Sequence, residues 1–333
     1  MPVRILLLIT LAALIAGCLP RPVAPDFSRS HHARLAPDHA RMADGVRLPL
    51  HRWSNPTPPE IVLIGLHGFN DYSQAFAPLA QDLAEQGIWT YAVDQRGFGA
   101  SDRPGHWPGS AVLIEDLRTL VALLRARYPR ARLVVAGESM GGAVAMAAAS
   151  AASLPIDGLV LIAPAVWSRD TMPWYQRWAL ELATRTVPGL ELTGKGIRLR
   201  PSDNLDMLRA MSADPLVIKA TRVEALWGVT SLMDLAQAAA PTLPVPTLLL
   251  YGERDQIIPK NAFCRMTEAL PTSEPALRLV LYPDGWHMLP RDLQGTRVRA
   301  DIAAWLIDPD GPLPSGEETG LWQGRHAAFC DDR

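Results

Sequence analysis

The chain has 333 residues, 48% hydrophobic, 20% charged and 7% aromatic. That globular balance excludes intrinsic disorder for most of its length and leaves room for one large domain or two ordinary ones. Basic residues number 32 and acidic residues 34, a formal net charge of −2, so the basic footprint of a nucleic-acid binder is absent. Three cysteines, Cys18, Cys264 and Cys330, are too few for a disulfide scaffold and lack metal-ligand spacing.

The N-terminus reads as an address. Arg4 precedes an apolar run over residues 5–16, shorter than the roughly 20 residues that cross a bilayer, so a secretory leader is expected. Its end, Ile15-Ala16-Gly17-Cys18, resembles a bacterial lipobox. That resemblance implies removal of residues 1–17 as a signal peptide and acylation of Cys18. Leu19, in place of an acidic residue, implies by the same resemblance an outer-membrane anchor facing the periplasm. The acyl chains would supply the attachment. Residues 18–38 carry Pro20, Pro22, Pro25 and Pro37 without hydrophobic periodicity and are expected to form the lipidated cysteine and its tether. His31, His32 and His39 read as solvated side chains before they read as ligands, and no metal is expected. Export would leave Cys264 and Cys330 in an oxidising compartment. Two readings stay open for them: a disulfide that pins the C-terminal tail, or two buried thiols.

From residue 39 onward a single domain is expected, with strands and helices alternating. A hairpin strand is expected at 46–53 and buried strands at 61–66, 89–93, 133–136, 159–163, 247–251 and 278–282, each a continuous apolar run of strand length. Helical spacing covers 75–86, 114–128, 141–153 and 291–307. This rhythm predicts a mostly parallel sheet with helices on both faces, an α/β class. It fails over about 165–241, where Trp167, Trp174, Trp178, Trp227, Met172, Met207, Met211 and Met233 occur without a buried-strand run. That stretch is expected to be a helical cap over one end of the sheet, with an apolar binding surface. Residues after Asp308, rich in Pro and Gly, are expected to form a surface tail.

The chemistry begins at Gly137-Glu138-Ser139-Met140-Gly141, between a predicted strand and an Ala-rich helix. Glycines flank the serine as a sharp strand-to-helix turn requires, and the turn would present Ser139 at a helix N-terminus. A serine nucleophile needs a base. His287 follows the sixth predicted strand of the sheet, and Asp255 follows the fifth, in Gly252-Glu253-Arg254-Asp255. All three would lie at the carboxyl ends of strands, in the chain order serine, acid, histidine. Asp94 comes too early in that order and reads as a turn carboxylate. Asp284, three residues before His287, is a weaker candidate for the acid. His51 and His106 follow no late strand. For the oxyanion, the backbone N–H of Met140 is one expected donor. The N–H of Phe69, in His67-Gly68-Phe69-Asn70 after the first buried strand, is the other; His67 itself reads as structural.

These residues resemble the monoacylglycerol lipase and lysophospholipase branch of the α/β-hydrolases, the serine-aminopeptidase-like group, over about 60–307. The likeness lies in His67-Gly68, Asp94 with Arg96-Gly97-Phe98-Gly99-Ala100-Ser101, Gly137 to Gly142, Tyr251-Gly252-Glu253-Arg254-Asp255 and Gly285-Trp286-His287. It implies an α/β-hydrolase fold with a lid before the acid-bearing strand. Two positions depart from the family. Asn70 stands where glycine is usual, and asparagine tolerates the left-handed backbone. A downstream arginine is replaced by Ala75, which weakens the expectation of a glycerol or phosphate headgroup.

The expected activity is hydrolysis of a lipid-like carboxylic ester, a monoacylglycerol or lysophospholipid, through Ser139, His287 and Asp255, without cofactor and with the membrane as partner through the anchor. Two rivals remain. A peptidase or amidase of the same fold, proline-aminopeptidase-like, would grip the substrate amine with cap acids among Glu181, Glu191, Asp203, Asp206, Asp214 and Glu224. A non-catalytic lipid-binding envelope lipoprotein would show an eroded triad. Oligomeric state, acyl length and headgroup are not encoded legibly.

Overall fold

The computed structural model describes residues 32–151, 154–194, 196, 199–271 and 276–331. The leader, Cys18, His31 and most of the expected tether lie outside the described residues. Within them runs a sheet of ten strands: β1 (Arg34–Leu35), β2 (His39–Arg41), β3 (Arg47–Trp53), β4 (Ile61–Leu66), β5 (Trp89–Val93), β6 (Arg132–Glu138), β7 (Gly158–Ile162), then β10 (Thr247–Gly252), β11 (Leu277–Tyr282) and β12 (Glu318–Thr319). Their spatial order is β1-β2-β3-β5-β4-β6-β7-β10-β11-β12. The six strands from β5 to β11 are parallel, while β1, β2, β3 and β12 run antiparallel at the edges. The expected α/β class and mostly parallel sheet are met.

The apolar runs are strands because both faces of the sheet are covered. Leu133, Val135, Leu159, Leu161 and Leu249 belong to one core, and Val134, Ala136, Val160, Ile162, Leu248 and Leu250 to the other. This is the two-residue alternation of a pleated strand, with apolar side chains on either side. One core receives helices α2 (Ser110–Arg127) and α3 (Met140–Ala151), the other α1 (Ala77–Glu85) and α8 (Gly295–Ile307). In α3, Met140 through Ala149 are all buried, since small side chains let sheet and neighbouring helices approach from several sides.

Between β7 and β10 the chain leaves the sheet and forms α4 (Trp174–Thr186), β8 (Glu191–Thr193), α5 (Leu205–Ala213), β9 (Ala220–Arg222) and α6 (Val223–Ala239). The stretch expected to form one cap divides in two. Helix α6 packs on α3, with Leu232 and Ala236 fully buried, and so covers the sheet. Helices α4 and α5 and the antiparallel pair β8–β9 bury few side chains, and α4 rests on α6.

Two expectations are corrected. Arg34 and Leu35, placed in the tether, pair with Arg41 and Ala40, so the sheet begins within the expected spacer. The tail after Asp308 is not merely surface: β12 pairs with β11, and α9 (Gly324–Asp331) buries His326 and Cys330. Cys330 is bonded to Cys264 in α7 (Lys260–Ala269), across a separation of 66 residues. The covalent bridge adds to a docking that Phe329 and His326 also make, through ring contacts to Phe263 at 6.5 and 6.2 Å.

Candidate active site

Strand β6 ends in the serine turn. Ser139 has φ +52°, a left-handed conformation that is rare and strained for a residue with a side chain. Its backbone is pinned: the N–H donates to Ile162 O at 2.9 Å, and its carbonyl accepts from Ala165 N at 2.9 Å and Ala143 N at 3.1 Å. The glycines are dictated by space. A Cβ at Gly137 would lie 2.4 Å from the Gly141 backbone, and one at Gly141 would lie 2.0 Å from the Leu66 carbonyl oxygen. Strand β4 therefore passes directly behind the turn and delivers the next loop. A Cβ at Gly68 would lie 3.4 Å from the Ser139 Cβ, so the loop carrying Phe69 abuts the serine. Phe69 packs against Phe98 and Trp107 at ring separations of 5.6 and 6.4 Å.

Asp255 and His287 come together from β10 and β11. The N–H of Asp255 donates to Gly252 O and that of Arg254 to Gly285 O, both at 3.0 Å. His287 Nδ1 donates to Asp255 Oδ2 at 2.8 Å, and Asp255 Oδ1 accepts from Ile257 N at 2.7 Å and Ile258 N at 3.0 Å. Both side chains are shielded from solvent. Burial alone would lower the His287 pKa, but the facing Asp255 carboxylate and its hydrogen bond raise it above the ordinary 6.5. The carboxylate occupies Nδ1, which leaves Nε2 as the proton acceptor.

The remaining candidates settle into structural roles. Asp94 accepts from Ser73 N, Ser73 Oγ and Ala100 N. His67 Nδ1 donates to Gly68 O at 2.8 Å and Nε2 accepts from Gln95 N at 2.9 Å, while burial pushes its pKa down, so it is a neutral bracket under the loop. Asp284 turns outward to Arg254. His51 meets Gln74. Asn70 takes φ +65° as anticipated and donates to Thr221 Oγ1 at 2.6 Å. Among the described residues no three His, Cys, Asp or Glu side chains gather as a metal site.

Sequence reasoning missed the scaffold between these loops. Pro201, from the cap, accepts the backbone N–H groups of both His287 and Met288 at 3.1 Å. Ser202 Oγ donates to Asp292 Oδ1 at 2.6 Å, and Asp292 Oδ2 accepts from Trp286 N at 2.8 Å. Tyr72 OH donates to Asp214 Oδ2 at 2.7 Å. Arg291, expected to open the last helix, lies instead in a short 3₁₀ turn and is buried between Asp71 and Glu138. Nothing in the spacing of these residues separates them from surface polar positions; only the fold juxtaposes them. A cavity of about 520 Å³ adjoins this scaffold, walled by Asp71, Tyr72, Met207, Met211, Val217 and Arg291.

Known proteins resemble this chain in sequence and in fold. A monoacylglycerol lipase of Mycolicibacterium smegmatis is 26% identical over 275 residues, 79% of this chain and 94% of that protein. A monoglyceride lipase of Rattus norvegicus is 25% identical, over 80% of this chain and 89% of its own length. Among solved structures, the monoacylglycerol lipase of Paleococcus ferrophilus superposes with a TM-score of 0.66 at 24% identity, covering 78% of this chain and 98% of its own. A soluble variant of the Saccharomyces cerevisiae monoglyceride lipase, solved with a substrate analog, gives 0.68 at 19% identity over 86% of this chain and 98% of its own. The family model described as serine aminopeptidase, S33 matches residues 57–294, and the chain belongs to that family of α/β-hydrolases.

Proposed function

We propose that the chain is a serine hydrolase of lipid-like carboxylic esters, a monoacylglycerol or a lysophospholipid. Ser139 Oγ attacks the ester carbonyl as His287 Nε2 takes its proton. The N–H groups of Phe69 and Met140 receive the oxyanion. Protonated His287 returns its proton to the leaving alcohol, and a water activated by the same imidazole cleaves the acyl-enzyme. Asp255 orients the imidazole and stabilises its charge. Every group in the scheme is supplied by protein and water, so it needs no metal or organic cofactor.

The observation that carries this reading is the 2.8 Å contact from His287 Nδ1 to Asp255, which reserves Nε2 for the serine proton. A lipid-like substrate is supported by the relatives named as monoacylglycerol or monoglyceride lipases and by the outer face of α4, where Trp174, Tyr175, Trp178 and Leu182 are 70%, 56%, 65% and 58% exposed. Such an exposed apolar patch suits contact with lipid. The peptidase alternative loses support because five of the six cap acids are engaged, Glu181 with Arg185, Glu224 with Arg222, Asp206 with Arg209, Asp214 with Tyr72 and Asp203 with Leu293 N, while Glu191 lies on an exposed strand.

A fluorophosphonate probe followed by p-nitrophenyl esters of graded chain length tests the assignment. Labelling is expected at Ser139, with long acyl chains preferred to acetate and to prolyl amides. Ser139→Ala is expected to melt as the wild type does and to lose about 10⁴-fold or more in turnover; near-normal ester hydrolysis by this variant would refute the assignment. We also propose that Cys18 carries the lipid anchor and holds the enzyme at the outer membrane. Cys18→Ala should abolish palmitate incorporation and release the protein from the membrane fraction; unchanged membrane retention and labelling would count against it.

A further inference from the structure

We propose that Arg291 is a positioning residue for this site, locking the loop that carries Phe69 and the turn that carries Ser139 to the segment that carries His287. The proposal rests on the Ser139, His287 and Asp255 reading above. Arg291 Nη1 donates to Asp71 Oδ2 at 2.8 Å, and Nη2 donates to Glu138 Oε1 at 2.7 Å. Asp71 lies two residues after Phe69, Glu138 immediately before Ser139, and Arg291 four residues after His287. One guanidinium therefore spans all three loops. The side chains of Arg291, Asp71 and Glu138 are only 7%, 6% and 4% exposed.

Charge balance alone does not account for this arrangement. One buried cation needs one anion, and a second carboxylate leaves an excess negative charge whose burial is unfavourable. What two carboxylates supply is geometry, since the planar fork of arginine presents its nitrogens in fixed directions. Burial works against the guanidinium charge, and Glu138 and Asp71 hold it charged. The clamp is itself braced. Arg291 N donates to Met288 O at 2.8 Å, and its carbonyl accepts from Asn204 Nδ2 of the cap at 2.9 Å. Asp71 Oδ1 accepts from Tyr72 N at 2.8 Å, and Tyr72 OH reaches Asp214 of the cap. Oxyanion donors act only when held close to their productive positions, and a shift of about 1 Å costs about 100-fold in rate.

The experiment uses the full chain and compares Arg291→Lys, which keeps the charge and loses the fork, with a triple variant, Asp71→Asn, Glu138→Gln and Arg291→Met, in which no charge is left unpaired. Thermal melting checks the fold. The readouts are kcat and KM on a short p-nitrophenyl ester and the rate of fluorophosphonate labelling at Ser139. The triple variant is expected to retain a cooperative melt while kcat falls about 100-fold, the order for a lost oxyanion donor, with KM within about threefold. Arg291→Lys is expected to fall about 10-fold or more in kcat, again at nearly constant KM. Labelling should slow in step with kcat. Recovery of wild-type kcat in the triple variant, or its retention in Arg291→Lys, would overturn the proposal by reducing Arg291 to a charge partner. A wild type not labelled at Ser139 would overturn the triad reading and the clamp with it, a result separate from any behaviour of the Arg291 variants.

Discussion

Replacing Asp255 by asparagine removes one charge and no volume, and the hydrogen bonds around the side chain fix the outcome. Asp255 Oδ1 accepts two backbone N–H groups, from Ile257 and Ile258, at 2.7 and 3.0 Å. In Asp255→Asn those two donors select the amide oxygen for that position, so the NH₂ group takes the place of Oδ2 and faces His287. A donor there forces Nδ1 to become the acceptor and moves the ring proton to Nε2, where it points at the serine and cannot accept a proton. The wrong tautomer costs about 10⁴-fold in kcat, roughly 5.5 kcal/mol of transition-state stabilisation. The pH profile supplies an independent sign. In the wild type Asp255 holds the imidazole pKa above 6.5, and the base is active only when neutral, so the acidic limb of kcat/KM is expected above 6.5. In Asp255→Asn burial acts without the opposing carboxylate, so whatever activity remains should have its acidic limb displaced to lower pH. Steady-state kinetics between pH 5 and 9 on a p-nitrophenyl ester, with a melting curve for the variant, measure both. A variant within about tenfold of wild-type kcat, or a limb moving to higher pH, would refute the reasoning.

Gly141→Ala would place a Cβ 2.0 Å from the Leu66 carbonyl oxygen. The obstacle is strand backbone, so a loss of about 3 kcal/mol is expected in denaturant unfolding, and an unchanged midpoint would show that β4 can retreat. For the Cys264–Cys330 bond, the separation of 66 residues corresponds to about 4 kcal/mol of loop-closure entropy. In a chain of this size that is about 6 °C in Tm, lost in Cys264→Ser/Cys330→Ser with kcat little changed; alkylation of two thiols in the unreduced wild type would contradict it. Trp174→Ala/Trp178→Ala is expected to lower hydrolysis of monoacylglycerol in vesicles while sparing a soluble short-chain ester. Equal loss on both substrates would place these rings in general catalysis instead of lipid contact.

The fold was legible because a buried parallel strand announces itself. Continuous runs such as 61–66 and 89–93 have no other stable use between turn residues, and both coincide with strands β4 and β5 to the residue. Helix limits are less legible: the spacing predicts 114–128 and the helix is Ser110–Arg127, since its N-cap is Gly109, which has no side chain to make a capping bond. Ser139 was marked by its two glycines, and their necessity is steric. The order of Asp255 and His287 along the chain was readable, as each follows a strand.

The pairing of those strands, and thus the meeting of residues 32 positions apart, came from register between β10 and β11. The Cys264–Cys330 bond was equally undecided, because sequence separation carries no distance. Arg291 is the clearest case. Its partners lie 220 and 153 residues upstream, and a buried cation is indistinguishable in sequence from a solvated one until packing removes the water around it. Local pattern and sterics determined which segments are strands and where the sharp strand-to-helix turn at Ser139 falls; long-range burial, which depends on every neighbour at once, decided which charged groups meet.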